Sequence, residues 1–412
     1  MSQNPVFVEA TRGGIVESQH RGAFAVVNTD GTLVASAGDI DAAIFPRSAI
    51  KAFQALPVVE SGAADQFGFT PEEIALCCAS HGGEPRHTET AARMLAKVGV
   101  TPEQLECGGH WPTHQHTTNC MLSKGERFGQ LHNNCSGKHA GMHALSAQLG
   151  VDPSGYTGVD HPVQQAIRET IQSMCDVDLT NAPVGFDGCS VPTWAFPLKN
   201  MALGFARLGA GQDLPKARRD AADRIIAAVR EHPFMVAGTG RACTTLMEAV
   251  PRVFVKTGAE GVYCACVSHA GLGIALKCEN GSSVAAEIAI AAVLAALPVW
   301  TQEEQEALAQ MTSHPLRNRR EIEVGDITVY WDDHGMQPRE TLRFFAPAGG
   351  TEVISDTRDR QGAYFEPGDE VIVVLDWLST GFAEGSVESL TLRWGPTPVL
   401  MRDADSGNFV QQ

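Results

Sequence analysis

A serine and a lysine stand three residues apart at the start of a predicted helix. Ser48 and Lys51 open the stretch 48–56, in which apolar residues recur near helical spacing. Residues three apart share a helical face, so the amine can reach the hydroxyl and take its proton. The helix N-terminus also favours the negative charge that develops there. The spacing therefore predicts a serine nucleophile, Ser48, paired with Lys51.

Two further elements follow in the chain order used by serine acyl-transfer enzymes. Ser80 begins a polar turn after an apolar run, and Lys256-Thr257-Gly258 ends a strand-like run. Enzymes of the penicillin-recognising kind use Ser-x-x-Lys, an intermediate serine and Lys-Thr-Gly in this order. The three elements together favour an active site. The second one reads Ser-His-Gly instead of Ser-Asp-Asn, so a β-lactam is not the predicted substrate.

Two polar turns bring cysteines together with charged residues. Cys135, Lys138 and His139 lie in one loop-to-helix junction, and Asp187 and Cys189 share a glycine-rich turn. The residue types indicate either a thiolate-rich metal site or a polar pocket for a small charged ligand. Two cysteines with a neighbouring Lys, His or Asp would complete a four-coordinate zinc site. Neither cysteine belongs to a Cys-x-x-Cys pair, so their meeting depends on the fold.

Histidine-rich segments give weaker signals. The segment 107–120 contains three histidines, which we interpret as incidental residues of a surface loop without a role. His81, Glu84 and His87 are spaced three apart, whereas a zinc protease needs two histidines four apart on a helix. No metal site is predicted at either segment.

Composition limits the class of partner. The 412 residues include 31 Lys and Arg against 48 Asp and Glu, a net charge of −17, which argues against nucleic acid and anionic membranes as partners. The longest apolar run, 288–297, is too short to span a bilayer. No export signal is evident at the N-terminus, so we expect a cytoplasmic protein whose eleven cysteines are thiols.

The predicted elements mix helices and strands without regular alternation, which favours an α+β body over a doubly wound sheet. Asp30-Gly31 is a strong hairpin signal between Ala23–Asn28 and Thr32–Ala37. Further helices are predicted at Thr88–Val98, Pro162–Cys175, Leu214–Glu231 and Ser283–Leu297, and further strands at Arg252–Lys256, Val262–Val267 and Gly271–Lys277.

The composition changes near residue 331. Residues 332–412 contain six Arg, no Lys and fourteen acidic residues, a net charge of −8. We predict a catalytic region at 1–331 and a small acidic all-β appendage at 332–412, which serves either for docking or oligomerisation or as a stabilising cap. The strand-like segments are Ile327–Trp331, Thr341–Phe345, Val371–Trp377 and Ser389–Trp394.

Several blocks in one order resemble the Rhizobium etli type of L-asparaginase, in the asparaginase II family. The similarity runs from about Arg12 to Arg319, and the acidic tail departs from the family pattern. The matching blocks are Pro46-Arg-Ser-Ala-Ile-Lys51, Ala79-Ser-His-Gly-Gly-Glu84, Cys107-Gly-Gly-His110, Asn134-Cys-Ser-Gly-Lys-His-Ala-Gly-Met142 and Asp187-Gly-Cys-Ser-Val-Pro192.

The resemblance implies a fold similar to serine β-lactamases and glutaminases, a homodimer, and hydrolysis of L-asparagine to L-aspartate and ammonia. It implies two Ser–Lys pairs and a zinc ion with Asp187 beside it. Arg47, next to the nucleophile, is a candidate for the substrate α-carboxylate or for a structural salt bridge. The implied pairs are Ser48 with Lys51 and Ser80 with Lys256, and the implied zinc ligands are Cys135, Lys138 and Cys189.

Two other functions stay open. A related amidohydrolase, such as a glutaminase or peptide amidase, would use the same motifs, because one methylene shifts selectivity by only about 1–3 kcal/mol. A non-catalytic protein that binds zinc or an amino acid belongs to a different class. It would bind asparagine without releasing ammonia.

Overall fold

Helices and antiparallel strands are mixed along the chain. The computed structural model describes residues 4–211, residues 213–330 and five short strands between residues 344 and 410. Every pairing between strands of the main sheet is antiparallel. The predicted α+β class is therefore confirmed.

The main sheet of the described region has eight strands in the order β11-β12-β1-β2-β10-β9-β8, with β3 paired to β2. Four short strands form two further antiparallel pairs, β4 with β7 and β5 with β6. The strands are β1 (Val6–Arg12), β2 (Ile15–Asn28), β3 (Leu33–Ala37), β4 (Ala43–Ile44), β5 (Val184–Phe186), β6 (Pro192–Trp194), β7 (Phe196–Pro197), β8 (Val253–Thr257), β9 (Val262–Val267), β10 (Leu272–Cys278), β11 (Ser313–Arg317) and β12 (Glu323–Val329).

The helices form layers against this sheet and against one another. The described helices are α1 (Lys51–Glu60), α2 (Ala63–Gln66), α3 (Pro71–Cys77), α4 (Pro85–Val98), α5 (Gln115–Ser123), α6 (Ser136–Leu149), α7 (Pro162–Cys175), α8 (Leu198–Ala210), α9 (Lys216–Glu231), α10 (Pro233–Val236), α11 (Ala242–Ala249), α12 (Ser283–Ala295) and α13 (Gln302–Ala309).

Most elements predicted within the described residues are confirmed to within a few residues at each end, but β2 begins at Ile15, eight residues before the predicted Ala23. The predicted hairpin is the β2–β3 pair, and Pro162 begins α7 as expected for a first-turn proline. The stretch predicted as one helix from Ser48 divides in two. A 3₁₀ turn spans Arg47–Ile50 and α1 begins at Lys51.

Three packed aromatic rings connect α1 with β8 through α8. Phe53 of α1 lies 5.1 Å from Phe205 of α8 between ring centroids, and Phe205 lies 6.2 Å from Phe254 of β8. All three side chains are fully buried. Such pairs contribute about 0.5–1.5 kcal/mol each beyond their buried area. Lys51 lies two residues before Phe53, and Lys256 lies two residues after Phe254. The packing of these rings therefore helps to set the distance between the two lysines.

A capping box starts the helix that precedes Ser80. The Thr70 hydroxyl accepts from the Glu73 amide at 3.3 Å, and the Glu73 carboxylate accepts from the Thr70 amide at 2.8 Å. Pro71 follows at the first helical position, where its missing N–H costs nothing. Helix α3 then ends at Cys77, three residues before Ser80.

The last strand of the main sheet lies between two others. Strand β12 pairs with β1 on one side and β11 on the other, so it is part of the body. Beyond it, Phe344–Phe345 pairs with Glu352–Val353, and Thr391–Trp394 with Thr397–Arg402. The predicted strand at Ser389–Trp394 thus matches at 391–394. The prediction at 371–377 lies outside the described residues.

None of the helices in the described ranges combines the length and hydrophobicity needed to cross a bilayer.

All eleven cysteines are free thiols, and ten of them are buried. Most therefore act as small apolar core residues. Cys135 and Cys189 differ from these, as their contacts with charged groups show below.

Candidate active site

The turn that carries Ser48 is strained and closely packed. Arg47 has a φ of 52°, a left-handed conformation that is uncommon for a residue with a side chain. A Cβ atom at Gly258 would lie 2.9 Å from the Pro46 carbonyl oxygen and 3.2 Å from the Ala49 amide nitrogen. Only glycine allows the Lys-Thr-Gly segment to approach this turn so closely, which explains why that motif ends in glycine here.

Ser80 lies between two buried lysines. The Nζ atom of Lys51 is 2.9 Å from the Ser80 hydroxyl oxygen, and Nζ of Lys256 is 2.8 Å from the same oxygen. Lys51 also donates to the Ala79 carbonyl at 2.5 Å, and Lys256 to the Thr257 carbonyl at 2.8 Å. Both lysines have no solvent-exposed surface. The predicted Ser80–Lys256 pair is present as a direct hydrogen bond.

The two amines differ in what they can do. Burial, together with the charge of Lys51, lowers the pKa of Lys256 to about 7. Lys256 is therefore neutral in a large fraction of molecules near neutral pH. A neutral amine accepts the hydroxyl proton, so Ser80 can donate to Lys256 while it accepts from the Lys51 ammonium. This arrangement moves a proton through Ser80.

Ser48 is half-buried beside this group, and the described residues include no hydrogen bond between its hydroxyl and Lys51. Lys51 donates instead to Ala79 and Ser80. The structure thus brings Lys51, Ser80 and Lys256 into contact and places Ser48 in the adjacent turn.

Cys135 and Cys189 meet beside Lys138. Cys135 immediately precedes α6, Lys138 lies in its first turn, and Cys189 lies on the turn that joins β5 to β6. Lys138 Nζ donates to Cys189 Sγ at 3.1 Å. A hydrogen bond from Cys189 and the positive charges of Lys138 and Lys51 hold the pKa of Cys135 well below its usual range. The positive charges of Lys138 and Lys51 therefore favour the thiolate form of Cys135.

Arg47 and Asp187 form an ion pair. Arg47 Nε lies 2.5 Å from Asp187 Oδ1, and the side chains are 25% and 8% exposed. The pair joins the Ser48 turn to the β5–β6 turn that carries Cys189. Arg47 and Asp187, the two predicted substrate-binding residues, therefore lie next to each other beside Ser48. They form the salt bridge that was the alternative expectation for Arg47.

The donor set of the thiol cluster decides how zinc would bind. The described residues contain no group of three His, Cys, Asp or Glu side chains that could hold a metal ion. Two thiolates and one amine fit zinc only if Lys138 gives up its proton. Burial acts against the ammonium form of Lys138, but the nearby charges of Cys135, Cys189 and Asp187 outweigh it and raise its pKa. Zinc must therefore displace a firmly held proton.

If the purified protein contains zinc, we expect Cys135→Ala and Cys189→Ala each to lose it, because a site with few protein ligands binds far more weakly after losing one. A zinc-free wild type with full activity would remove the metal from the mechanism. Elemental analysis measures the metal content. Cys175→Ala, which removes a buried thiol outside the cluster, is the matched control and should keep its zinc. Full zinc in either cluster variant would remove that cysteine from the ligand set.

Sequence reasoning overlooked two histidines that contact the site segments. His110 Nε2 accepts from the Asn134 amide at 3.0 Å, so this residue is not an incidental surface histidine. His81 is fully buried and its Nε2 lies 2.9 Å from the Ser136 hydroxyl. The signal for His81 was its place directly after Ser80, in a polar turn that follows an apolar run.

Comparison with protein families identifies the class. The model of the family described as L-asparaginase II matches residues 8–329, more than three quarters of the chain. The chain therefore belongs to the L-asparaginase II family, and this membership places it among hydrolases. No protein of curated function has significant sequence similarity to it.

Several solved structures match this chain over part of its length. They include a protein called Mglu in its native form (15% identity, 69% of this chain, TM-score 0.31), a β-lactamase from Mycobacterium bovis (12% identity, 71% of this chain and 95% of that chain, TM-score 0.35) and a carbapenemase from Vibrio cholerae (14% identity, 67% of this chain and 94% of that chain, TM-score 0.32). The chain spans 66% of the length of Mglu.

Proposed function

We propose that this protein hydrolyses the side-chain amide of L-asparagine to L-aspartate and ammonia through a serine acyl-enzyme. The observation that carries the proposal is the Ser80 hydroxyl held between two buried lysines, Lys51 at 2.9 Å and Lys256 at 2.8 Å, beside the turn that carries Ser48. Membership of the L-asparaginase II family supports an amide substrate. The motif blocks resemble the Rhizobium etli type within that family.

In this proposal, Arg47 and Asp187 recognise the backbone groups of a free amino acid. The guanidinium binds the α-carboxylate and the carboxylate binds the α-ammonium. Their opposite charges, 2.5 Å apart, complement the two charges of an amino-acid zwitterion. Binding then replaces one ion pair by two, which limits the cost of taking these charges out of water.

The acylation step passes one proton along a chain of contacts. Lys51 first passes a proton to Ser80 as Ser80 passes one to neutral Lys256, which leaves Lys51 as a neutral amine. Ser48 Oγ then attacks the amide carbon and gives its proton to this amine. The net change leaves Lys256 protonated and Lys51 and Ser80 as they began. The reverse transfer protonates the leaving nitrogen, and the C–N bond breaks to release ammonia.

Deacylation repeats the sequence with water as the nucleophile. Water attacks the ester carbon, its proton enters the same chain, and the bond to Ser48 Oγ breaks as the serine regains a proton. L-aspartate leaves. A zinc ion held by Cys135, Cys189 and Lys138 would supply a positive charge next to the Arg47–Asp187 pair, and no step above depends on it.

Ammonia release from L-asparagine and L-glutamine, together with ring opening of a β-lactam followed by its ultraviolet absorbance, tests the proposal. We expect kcat/KM to be highest for asparagine and the β-lactam to be inert. A higher value for glutamine would replace the proposal by a glutaminase, since the motifs are the same. Calorimetric binding of asparagine without ammonia release would favour the non-catalytic binding protein instead.

Three accompanying predictions concern the whole chain. We propose that residues 1–331 form the catalytic region and 332–412 an appendage, because β12 completes its pairing by Val329 and every proposed site residue precedes it. The homodimer stays a prediction from the family resemblance. The cytoplasmic location stays a prediction from composition.

A further inference from the structure

We propose that His81 is a positioning residue that holds the Ser80 hydroxyl between Lys51 and Lys256, through its hydrogen bond to Ser136 at the start of α6. The kinetic test of this role rests on the proposed function, and the crystallographic test does not. His81 does not contact the reacting atoms in the mechanism above. It acts through the segment that carries Ser80.

Both ring nitrogens of His81 are used. The Gly83 amide donates to Nδ1 at 3.1 Å, so the neutral ring carries its hydrogen on Nε2. Nε2 therefore donates to the Ser136 hydroxyl oxygen, 2.9 Å away. The residue has no exposed surface, and an unpaired buried N–H is costly. The ring thus has one favoured orientation, and Ser136 defines it.

Aromatic packing holds the same ring from the side. The His81 ring lies 4.9 Å from the His87 ring, which lies 4.6 Å from the Phe234 ring, and both pairs are nearly parallel. The guanidinium of Arg86 lies 5.3 Å from the centroid of Phe234. This stack leaves the imidazole little freedom to tilt away from Ser136.

The backbone around Ser80 links two different segments. The Ser80 amide donates to the Val236 carbonyl at 2.9 Å, and the His81 amide donates to the Asn134 carbonyl at 3.2 Å. The His81 side chain adds a second tie to the Asn134 side, at Ser136. The short segment that carries Ser80 is therefore held between Val236 and Asn134, and its position relative to α6 depends on the His81 imidazole. A shift of about 1 Å in a reacting group can cost about a hundredfold in rate.

Ser136→Ala removes the acceptor of the His81 hydrogen bond and leaves His81 in place. We expect kcat to fall at least about tenfold while KM stays within about twofold, since the substrate-binding pair is untouched. The matched control is Ser146→Ala, a buried serine of the same helix whose hydroxyl donates only to the Met142 carbonyl. The control should keep kcat within about twofold.

A conservative variant of His81 separates the effect of its hydrogen bond from the effect of its side-chain volume. His81→Gln keeps an amide N–H near the position of Nε2, whereas His81→Leu removes every donor. We expect Gln to retain more than ten times the kcat of Leu. If both variants lose the same activity, or if Ser136→Ala lowers only the melting temperature and leaves kcat unchanged, the role is structural and the proposal is wrong.

Crystal structures of the wild type and Ser136→Ala give a readout that needs no turnover. We expect the Ser80 oxygen in the variant to leave hydrogen-bond distance of at least one lysine. An unchanged Lys51–Ser80–Lys256 geometry would overturn the positioning role. A wild type that fails to release ammonia from asparagine would overturn the proposed function alone, and the structural comparison would still decide this inference.

Discussion

Ser48→Ala is expected to reduce kcat for asparagine hydrolysis to less than a tenth of the wild-type value while the protein stays folded. The substitution removes the oxygen that forms the acyl-enzyme, so the covalent route is lost. A tenfold loss corresponds to about 1.4 kcal/mol in the barrier, and the expected loss is larger. Ser48 is half-buried, so losing one hydroxyl has little effect on the melting temperature.

The matched control is Ser61→Ala. Ser61 is also half-buried and lies at the other end of α1, just after Glu60. It should keep wild-type kcat. If Ser48→Ala keeps more than a tenth of kcat, Ser48 is not the nucleophile. Ser80→Ala then becomes the next variant to measure, because its hydroxyl contacts both lysines.

Lys256→Met is expected to lower kcat/KM by about 10²–10⁴-fold, the usual contribution of a positioned proton acceptor. In the wild type, kcat/KM should rise with pH through about 7, because Lys256 accepts a proton only as the neutral amine and its pKa is about 7. Below this pH the amine is an ammonium and cannot accept. The variant should lose this rise, and so should Lys256→Arg, whose guanidinium stays charged.

The measurement is kcat/KM between about pH 5 and 9, which reports groups of the free enzyme. Lys277→Met is the matched control, because Lys277 lies on β10 of the same sheet and donates only to backbone carbonyls. It should keep both the rate and the pH profile. A Lys256→Met profile that still rises near pH 7 would assign the titration to another group.

The elements of this fold follow closely from local sequence patterns. The Asp30-Gly31 turn predicts the β2–β3 hairpin, and the first-turn proline marks the start of α7 at Pro162. These signals are strong because turn geometry and helix starts depend on a few neighbouring residues. Element boundaries are less certain, and the 3₁₀ turn before α1 shows why. This turn contains the left-handed Arg47, and its neighbours Pro46 and Ala49 pack closely against Gly258, about 210 residues away in the sequence.

The candidate site likewise has features that the sequence predicts and features that only the structure shows. The order of Ser48, Lys51, Ser80 and Lys256 predicts the proposed chemistry, because side-chain type limits what each residue can do. The sequence alone leaves open which lysine accepts the proton. Our proposal assigns this role to Lys256, because burial together with the charge of Lys51 lowers its pKa to about 7, and both effects depend on the packed core.

Only the tertiary structure brings distant partners within a hydrogen bond. Lys256 reaches Ser80 across 176 residues, Lys138 reaches Cys189 across 51, and His81 reaches Ser136 across 55. The sequence determined the residue types and most of the local elements. The fold decided the pairing of Arg47 with Asp187 and the hydrogen bond between His81 and Ser136. Long-range contacts depend on how helices and sheet pack, and that packing is a cooperative property of the whole core that spacing along the chain does not encode.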